Sequence, residues 1–351
     1  MDFSRRIYPL DTRELTEEQL AVVFAMTSRN PNPFDEIAKI VNEDKAADFH
    51  ERWVLNYGHA SVAEHAIIHM AVENVSRLAC DTLEDNRLAS YTEKSSRYQI
   101  LEKGSYHTPS ELENHSLKSA YEQSCEYLFE AYEDSISHLQ DYISTSTPQR
   151  ENERDQAYRL RLRRDAIDTC RFLLPASTLT NVGVTMNARS WEHAILKLLS
   201  SRLAEERDIG DSIKTQGRTI TPTLIKYADR NEYLSSTRNA LSILASTSEP
   251  SLVHYGDVSA RLVHYDNQAE IKLATSLLYS SSLETYEDIW SRVCSMNDES
   301  RQRIIIESLE HLGPHDNPLR ELETVEYTFE LVMDYGAYRE FKRHRMQTYL
   351  S

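Results

Sequence analysis

The stretch STLTNVGVTMN, residues 177–187, is a run of β-branched and apolar side chains. Such a run suits a pleated, half-buried surface better than a helix, and it is the strongest strand signal in the chain. Upstream, DQAYRLRLRRDAIDTCRFLLP (155–175) has helical spacing and ends at Pro175. Proline has no amide hydrogen to donate and its ring clashes with the preceding turn, so the helix must stop there. Downstream, ARSWEHAILKLLSSRLAEERDIGDSIKTQG (188–217) reads as one helix that Gly217 terminates. A strand framed by two helices sets the expectation of a helix-rich fold with at least one strong strand.

Working outward, helical periodicity dominates. LTEEQLAVVFAMTSR (15–29) offers Thr16 as a cap with Glu17, Glu18 and Gln19 in the first turn. PFDEIAKIVNEDKAADFHERWVLNYG (33–58) reads as one or two helices ending at Gly58. Within residues 67–75, IIHMAVENV fits a strand or a helix. Residues 110–143 predict one long amphipathic helix, with Leu117, Ala120, Tyr121, Cys125, Leu128 and Tyr132 as its apolar stripe. A polar linker, STSTPQRENER (144–154), follows it. The basic cluster RLRLRRD (159–165) is expected to be a solvated helix face paired with nearby acids.

The totals narrow the function classes. A length of 351 residues exceeds one small domain, and 40% hydrophobic residues are enough for a core. The formal charge of −17 disfavours nucleic acid or an acidic membrane as partner, because both are held by clustered Lys and Arg. An anionic small molecule would need a local basic pocket. Cys80, Cys125, Cys170 and Cys294 are far apart, which gives no disulfide framework or metal finger and fits a reduced, cytoplasmic protein. No run approaches the ~20 apolar residues of a membrane span.

From about residue 265 the pattern starts again. Residues 269–313 repeat the helix order and closing glycine of residues 15–58. Beyond them, SRLACDTLEDNRLASY (76–91) aligns with DYGAYREFKRHRMQTY (334–349). This pairs Ala79 with Ala337, Leu83 with Phe341, Arg87 with Arg345, Leu88 with Met346 and Tyr91 with Tyr349. The expected division is a first unit over 1–255 and the N-terminal part of an incomplete second repeat over 256–351, the chain being a fragment of a longer protein.

Between the helices lies SYTEKSSRY (90–98), with no long apolar side chain at its middle. A phosphate is held by hydroxyl or backbone donors and a cation, and one guanidinium can grip two of its oxygens. Ser95, Ser96 and Arg97 supply these contiguously. Glu93 suits a phosphate site only if it faces a sugar hydroxyl or orients an arginine. The alternative is a polar turn with one exposed arginine.

Three blocks, GHASVAEHAIIHMAVENVSRL (58–78), NRLASYTEKSSRY (86–98) and RFLLPASTLTNVGVTMNARSWEHAI (171–195), resemble, in this order, the flavin-dependent thymidylate synthases (ThyX). That family's signature is R-H-R, two residues, Ser, four residues, Ser, one residue, Arg-Tyr. Arg87, Ser90, Ser95, Arg97 and Tyr98 match it, whereas Asp85 and Asn86 replace its first Arg and its His. An intact Arg343-His344-Arg345 stands where the internal repeat predicts one.

The resemblance covers most of residues 10–215. It implies a helix-rich α+β fold with a small central sheet per unit. It implies methylation of dUMP to dTMP using methylenetetrahydrofolate and FAD reduced by NADPH, with no protein nucleophile, since the flavin and folate carry the hard chemistry. Ser90, Glu93, Ser95, Ser96, Arg97, Tyr98 and Arg189 would then bind substrate. His59, Ser61, Glu64, Arg87, Asn187, Arg343, His344 and Arg345 would bind cofactor. Sites formed between subunits imply a homo-oligomer, a dimer or tetramer.

Other readings of the same residues stay open. Asn187 could simply cap a helix and leave Arg189 exposed. His65 and His69 would share a helix face, as a metal pair or as capping and core residues. The family's base-contacting Arg, eleven residues after the Asn, falls on Leu198, with Lys197 or Arg202 as stand-ins, and EERDI replaces the family's AQ-x-EI. Two readings follow: a duplicated enzyme whose units share one site, or an impaired pseudoenzyme acting as a flavin or nucleotide sensor or assembly partner. A third is a flavin enzyme methylating a different nucleotide.

Overall fold

The computed structural model describes residues 5–10, 12–56, 60–246 and 260–350. Gly58 and His59, both singled out above, lie outside the described residues. Packing divides the chain into one unit of Met1–Glu249 with Tyr335–Ser351 and another of Pro250–Asp334.

The larger unit opens with α1 (Glu17–Met26), whose capping box is made as expected: Gln19 N donates to Thr16 Oγ1 at 3.3 Å and Thr16 N to Gln19 Oε1 at 2.8 Å. Residues 33–58 give two helices, α2 (Phe34–Ile40) and α3 (Glu43–Phe49), the second continued by a wider turn over His50–Asn56. Val22, Val23, Ile37, Val41 and Ala46 pack between them. A tight turn, Ala60–His65, leads into β1 (Ile67–Ser76), so IIHMAVENV is strand. Next come α4 (Arg77–Glu84), β2 (Ala89–Glu93), α5 (Lys118–Ser146), α6 (Asp155–Cys170) and β3 (Leu179–Asn187). The series closes with α7 (Ala188–Leu199), α8 (Ala204–Gly217) and α9 (Glu232–Ala245).

The predicted strand is the centre of the sheet. β3 pairs antiparallel with β1 on one side and β2 on the other, with Ile68 and Ala89 both opposite Met186. Thr180, Val182, Val184 and Met186 alternate inward, and α7 covers them with Trp191, Ala194, Ile195 and Leu198. The Trp191 indole donates to the Ile68 carbonyl at 3.1 Å, and truncating a buried tryptophan costs about 3–5 kcal/mol. β1 carries a bulge between Val72 and Val75, where Asn74 takes a φ of 56° and donates its amide to Asn181 Oδ1 at 2.9 Å.

Two helix expectations need correction. Residues 188–217 are two helices, because Ser200 and Ser201 compete for the backbone between them. Ser200 Oγ donates to the Leu196 carbonyl at 2.7 Å, and Ser201 Oγ accepts from Leu203 N at 3.1 Å. Gly217 does end α8, and a Cβ there would lie 2.4 Å from Ile225 Cδ1. The helix predicted from residue 110 starts only at Lys118, leaving Leu117 and Ala120 exposed. Its buried stripe is Cys125, Phe129, Tyr132 and Ile136, facing Ala166, Ile167 and Cys170 of α6. In the basic cluster, Arg161 binds both oxygens of Glu153 at 2.9 and 2.7 Å and Arg164 pairs with Asp165.

In the smaller unit, β4 (Ala260–Tyr265) pairs antiparallel with β5 (Tyr327–Leu331). Between them run α10 (Ala269–Tyr279), α11 (Tyr286–Ser295) and α12 (Asp298–Glu307), around Ala274, Ile289 and Val293. α13 (Tyr335–Phe341) and the residues after it pack with the larger unit. The succession of three helices, a tight turn, a strand and a helix thus occurs at 17–84 and again at 269–341. Among the described residues no helix is long and apolar enough to cross a membrane.

Candidate functional site

α4 is capped by Ser76, whose Oγ accepts from Ala79 N at 3.0 Å. The turn from α4 into β2 is closed by Tyr91, whose hydroxyl lies 3.2 Å from the Leu83 carbonyl and 3.0 Å from that of Asn86. The last stretch closes identically: the Tyr349 hydroxyl lies 3.0 Å from the Phe341 carbonyl and 2.8 Å from that of His344. These two closures bring residues from both stretches to one surface.

β2 delivers the serine-rich turn to that surface. Arg77 Nη2 donates to Ser96 Oγ at 3.0 Å, and Arg171 Nη1 lies 3.4 Å from the same oxygen. Ser95 Oγ accepts from Arg97 N at 3.3 Å, shaping the turn. One carboxylate, Glu340 on α13, sits among Arg97 at 3.4 Å, Arg171 at 3.2 Å and Arg343 at 3.1 Å. Asp168 holds Arg97 and Arg171 from the other side, at 3.2 and 2.8 Å. Arg77 and Arg171 are each only 8% exposed.

Burial by itself would raise the Glu340 carboxyl, but the Arg171 hydrogen bond and the Arg343 and Arg97 charges outweigh it, and the net direction is down. Burial, then the Arg339 charge, bring Arg77 down to about 10, still a cation at neutral pH. Glu93 accepts from Thr180 Oγ1 and Arg339 Nη2, both at 2.8 Å, so it orients an arginine. Ser90 and Tyr98 are exposed.

Two clefts lie along the other predicted residues. One of about 440 Å³ is lined by Glu64, Arg87, Asn187 and Arg189, together with Asp85, Asn86, Leu88, Ser190 and His193. The second, of about 960 Å³, shares Glu64 and adds Ser61, Arg29 and the rings of Phe24, Phe49, Trp53 and His65. Phe24 and His65 stack with centroids 4.8 Å apart, and the Arg29 guanidinium lies 4.4 Å from the Trp53 ring centre. Asn187 caps α7, its Oδ1 accepting from Ser190 N at 2.8 Å, and Arg189 pairs with Glu64. Arg87 donates to Thr348 Oγ1 at 2.8 Å.

Of the intact triplet, Arg343 reaches Glu340, His344 packs by Phe341, and Arg345 lies 5.9 Å from the Tyr91 ring centre. Asp85, where the resemblance has an arginine, is matched by Lys197 at 3.4 Å and Lys342 at 3.8 Å. Burial lowers Lys197, with the Asp85 charge opposing. Burial and then the Lys197 charge lower His193, so it is neutral at pH 7. Leu198 is in the sheet core and Arg202 is exposed elsewhere. His65 and His69 do not share a helix face: His69 is on β1, its Nδ1 2.8 Å from Thr185 Oγ1.

Sequence reasoning missed Arg77, Arg171 and Glu340. For Arg171 a signal was present, since it opens the quoted RFLLP block. Every anion-cluster arginine except Arg343, and both clefts, fall between residues 12 and 223, where the model described as "Thymidylate synthase complementing protein" matches. The chain belongs to this family.

Among relatives of this Thymidylate synthase complementing protein chain, a UPF0159 protein of Chlamydia muridarum is 32% identical over 324 residues, 87% of this chain and 60% of that protein. A UPF0159 protein of Thermoplasma acidophilum is 29% identical over 338 residues, 87% of this chain and 66% of that one. A flavin-dependent thymidylate synthase of Clostridium tetani is 28% identical over 214 residues, 60% of this chain and 82% of that enzyme. The chain therefore spans about 60% of the length of the Chlamydia relative. α9 and the whole of residues 335–351 lie outside the family match.

Proposed function

We propose that the chain carries a flavin-dependent thymidylate synthase-type site, converting dUMP to dTMP with methylenetetrahydrofolate as one-carbon donor and NADPH as reductant of bound FAD. The observation that carries this reading is the convergence of Ser96, Arg77, Arg97 and Arg171, joined by Arg343 through Glu340. A hydroxyl beside several guanidinium forks is the donor set that a nucleotide phosphate needs. The likeness to the flavin-dependent thymidylate synthase of Clostridium tetani supports the same chemistry.

In this reading Ser95, Ser96, Arg97, Arg171 and Arg77 hold the phosphate, while Ser90, Glu93, Tyr98 and Arg189 face the rest of the nucleotide. The paired clefts fit FAD. The Phe24, His65 and Trp53 faces suit planar rings, and Arg87 suits phosphates, beside Ser61, Glu64 and Asn187. Bound FAD supplies the hydride chemistry; the side chains bind, orient and exclude water. Arg345 and His344 extend the flavin side, and no side-chain nucleophile is assigned. The same proposal includes a homo-oligomer, and a second repeat supported by the recurring element order and the matched tyrosine closures. Arg97→Ala and Arg345→Ala should each reduce dTMP formation; unchanged rates in both would remove the shared site.

Glu340 favours a second reading, an impaired relative that senses flavin or nucleotide, because its carboxylate already occupies the space among three arginines. The deciding measurement is the visible spectrum of the chain with FAD, before and after dUMP, for wild type and Glu340→Gln. A flavin band perturbed by dUMP in wild type supports the synthase. Perturbation only in Glu340→Gln supports the impaired relative, with the Glu340 carboxylate keeping the nucleotide out of the arginine cluster. A flavin band indifferent to dUMP in both proteins overturns the nucleotide assignment.

A further inference from the structure

Arg202, Arg207, Arg230 and Arg238 line one groove of about 930 Å³ at the end of α7 and along α9. None of the four lies within 4 Å of a carboxylate among the described residues. The groove's acid, Glu232, accepts instead from the Ser236 hydroxyl at 2.8 Å. The chain has a net charge of −17, with 56 acidic against 39 basic residues, yet here four guanidiniums line one groove with no carboxylate among the described residues pairing them. Four guanidiniums left together repel one another unless an anion joins them.

The walls are set in place. Arg207 Nη1 donates to the Ser201 and Arg202 carbonyls at 3.0 and 2.7 Å, fixing the turn between α7 and α8. Ser200 Oγ accepts from Asn231 N at 2.8 Å, tying that turn to the start of α9. The guanidiniums of Arg230 and Arg238 make no hydrogen bond or ion pair among the described residues. Ser242 on α9 adds a hydroxyl, while Ser235 Oγ donates to the Ser200 carbonyl at 3.4 Å and holds α9 to the turn.

We propose that this groove binds a small molecule carrying two or more adjacent phosphates, free or on a nucleoside. Guanidinium forks match phosphate oxygens pairwise, and four cations balance a di- or triphosphate. A nucleic-acid strand is disfavoured, since its flanking phosphates would meet an acidic surface. The site is independent of the proposed synthase site, and α9 lies outside the family match.

The test is calorimetric titration of the full chain with inorganic tripolyphosphate and with ATP, at about 0.15 M salt to screen diffuse attraction. Both should bind, and equal affinities would mean that phosphates alone are read, whereas tighter ATP would add a base contact. Arg230→Ala/Arg238→Ala should weaken binding by roughly 10- to 100-fold, since two charge-assisted contacts are lost. Arg230→Lys/Arg238→Lys should fall between, and Arg303→Ala, an exposed arginine on α12, should leave binding unchanged. Absence of binding, binding that survives Arg230→Ala/Arg238→Ala, or loss in Arg303→Ala would each overturn the proposal. So would a preference for single-stranded RNA over both probes.

Discussion

Residues 76–91 and 334–349 form the same local structure, a capped or docked helix followed by a turn that a tyrosine hydroxyl closes onto two carbonyls. Their charges are opposite. Where the first has Asp81, Glu84 and Asp85, the second has Arg339, Lys342 and Arg343. Lys342 reaches Asp81 at 3.0 Å and Asp85 at 3.8 Å, and Arg339 reaches Glu93 at 2.8 Å. Two stretches carrying the same charges would repel across this contact; the opposite charges make it attractive. Asp85 therefore has a structural partner as well as a lost family role.

The strongest way to break this complementarity is Arg339→Ala. Arg339 and Glu93 are 9% and 15% exposed, so removing the cation strands a largely buried carboxylate. Such a loss costs about 3–5 kcal/mol, readable as a shift in urea midpoint at constant slope. Adding Glu93→Gln to the variant should recover part of it. A loss below about 1 kcal/mol, the level of an exposed pair, would mean that the two stretches are held by apolar packing instead.

How much of this was legible in the sequence depended on how local each signal was. β3 was, because β-branched residues are contiguous there; β1 was ambiguous, since IIHMAVENV satisfies either period. The break between α7 and α8 was hidden because apolar spacing continues through Ser200 and Ser201, and only their side-chain hydrogen bonds interrupt the ladder. The serine–arginine turn was legible as contiguous residues. The meeting of Arg77, Arg171 and Glu340 was not, although Arg171 opens a quoted block, for they come from a helix start, a tight turn and the last helix, and meet only through folding. Arginines and acids inside amphipathic helices read as surface until burial is known.

The acidic stretch should also leave a pH signature. Burial, then the Glu93 charge, raise the Glu84 carboxyl from 4.5 to about 7, with Asp81 adding to the rise and Arg339 and Arg343 opposing it. The folded chain thus keeps a proton that the unfolded chain releases. The contribution is complete below about pH 4.5 and is lost as pH rises through 7. Glu84→Gln should match wild type near pH 4 and exceed it by roughly 2 kcal/mol at pH 8. Equal stabilities at pH 8 would show Glu84 ionising freely beside Arg339.

The smallest expected effect tests the likeness itself. Removing either closing hydroxyl leaves two carbonyls without that donor. Tyr91 is packed against the sheet core, and both of its hydrogen bonds are partly buried. Only one of the Tyr349 pair is partly buried, and the other is exposed. Water can replace a donor at an exposed carbonyl and not at a buried one, so Tyr91→Phe should cost about 1 kcal/mol and Tyr349→Phe about half that. Thermal unfolding of the two variants would read the difference. If Tyr349→Phe cost the more, the C-terminal turn would be the stiffer of the two, and the basic stretch would be the template onto which the acidic one folds.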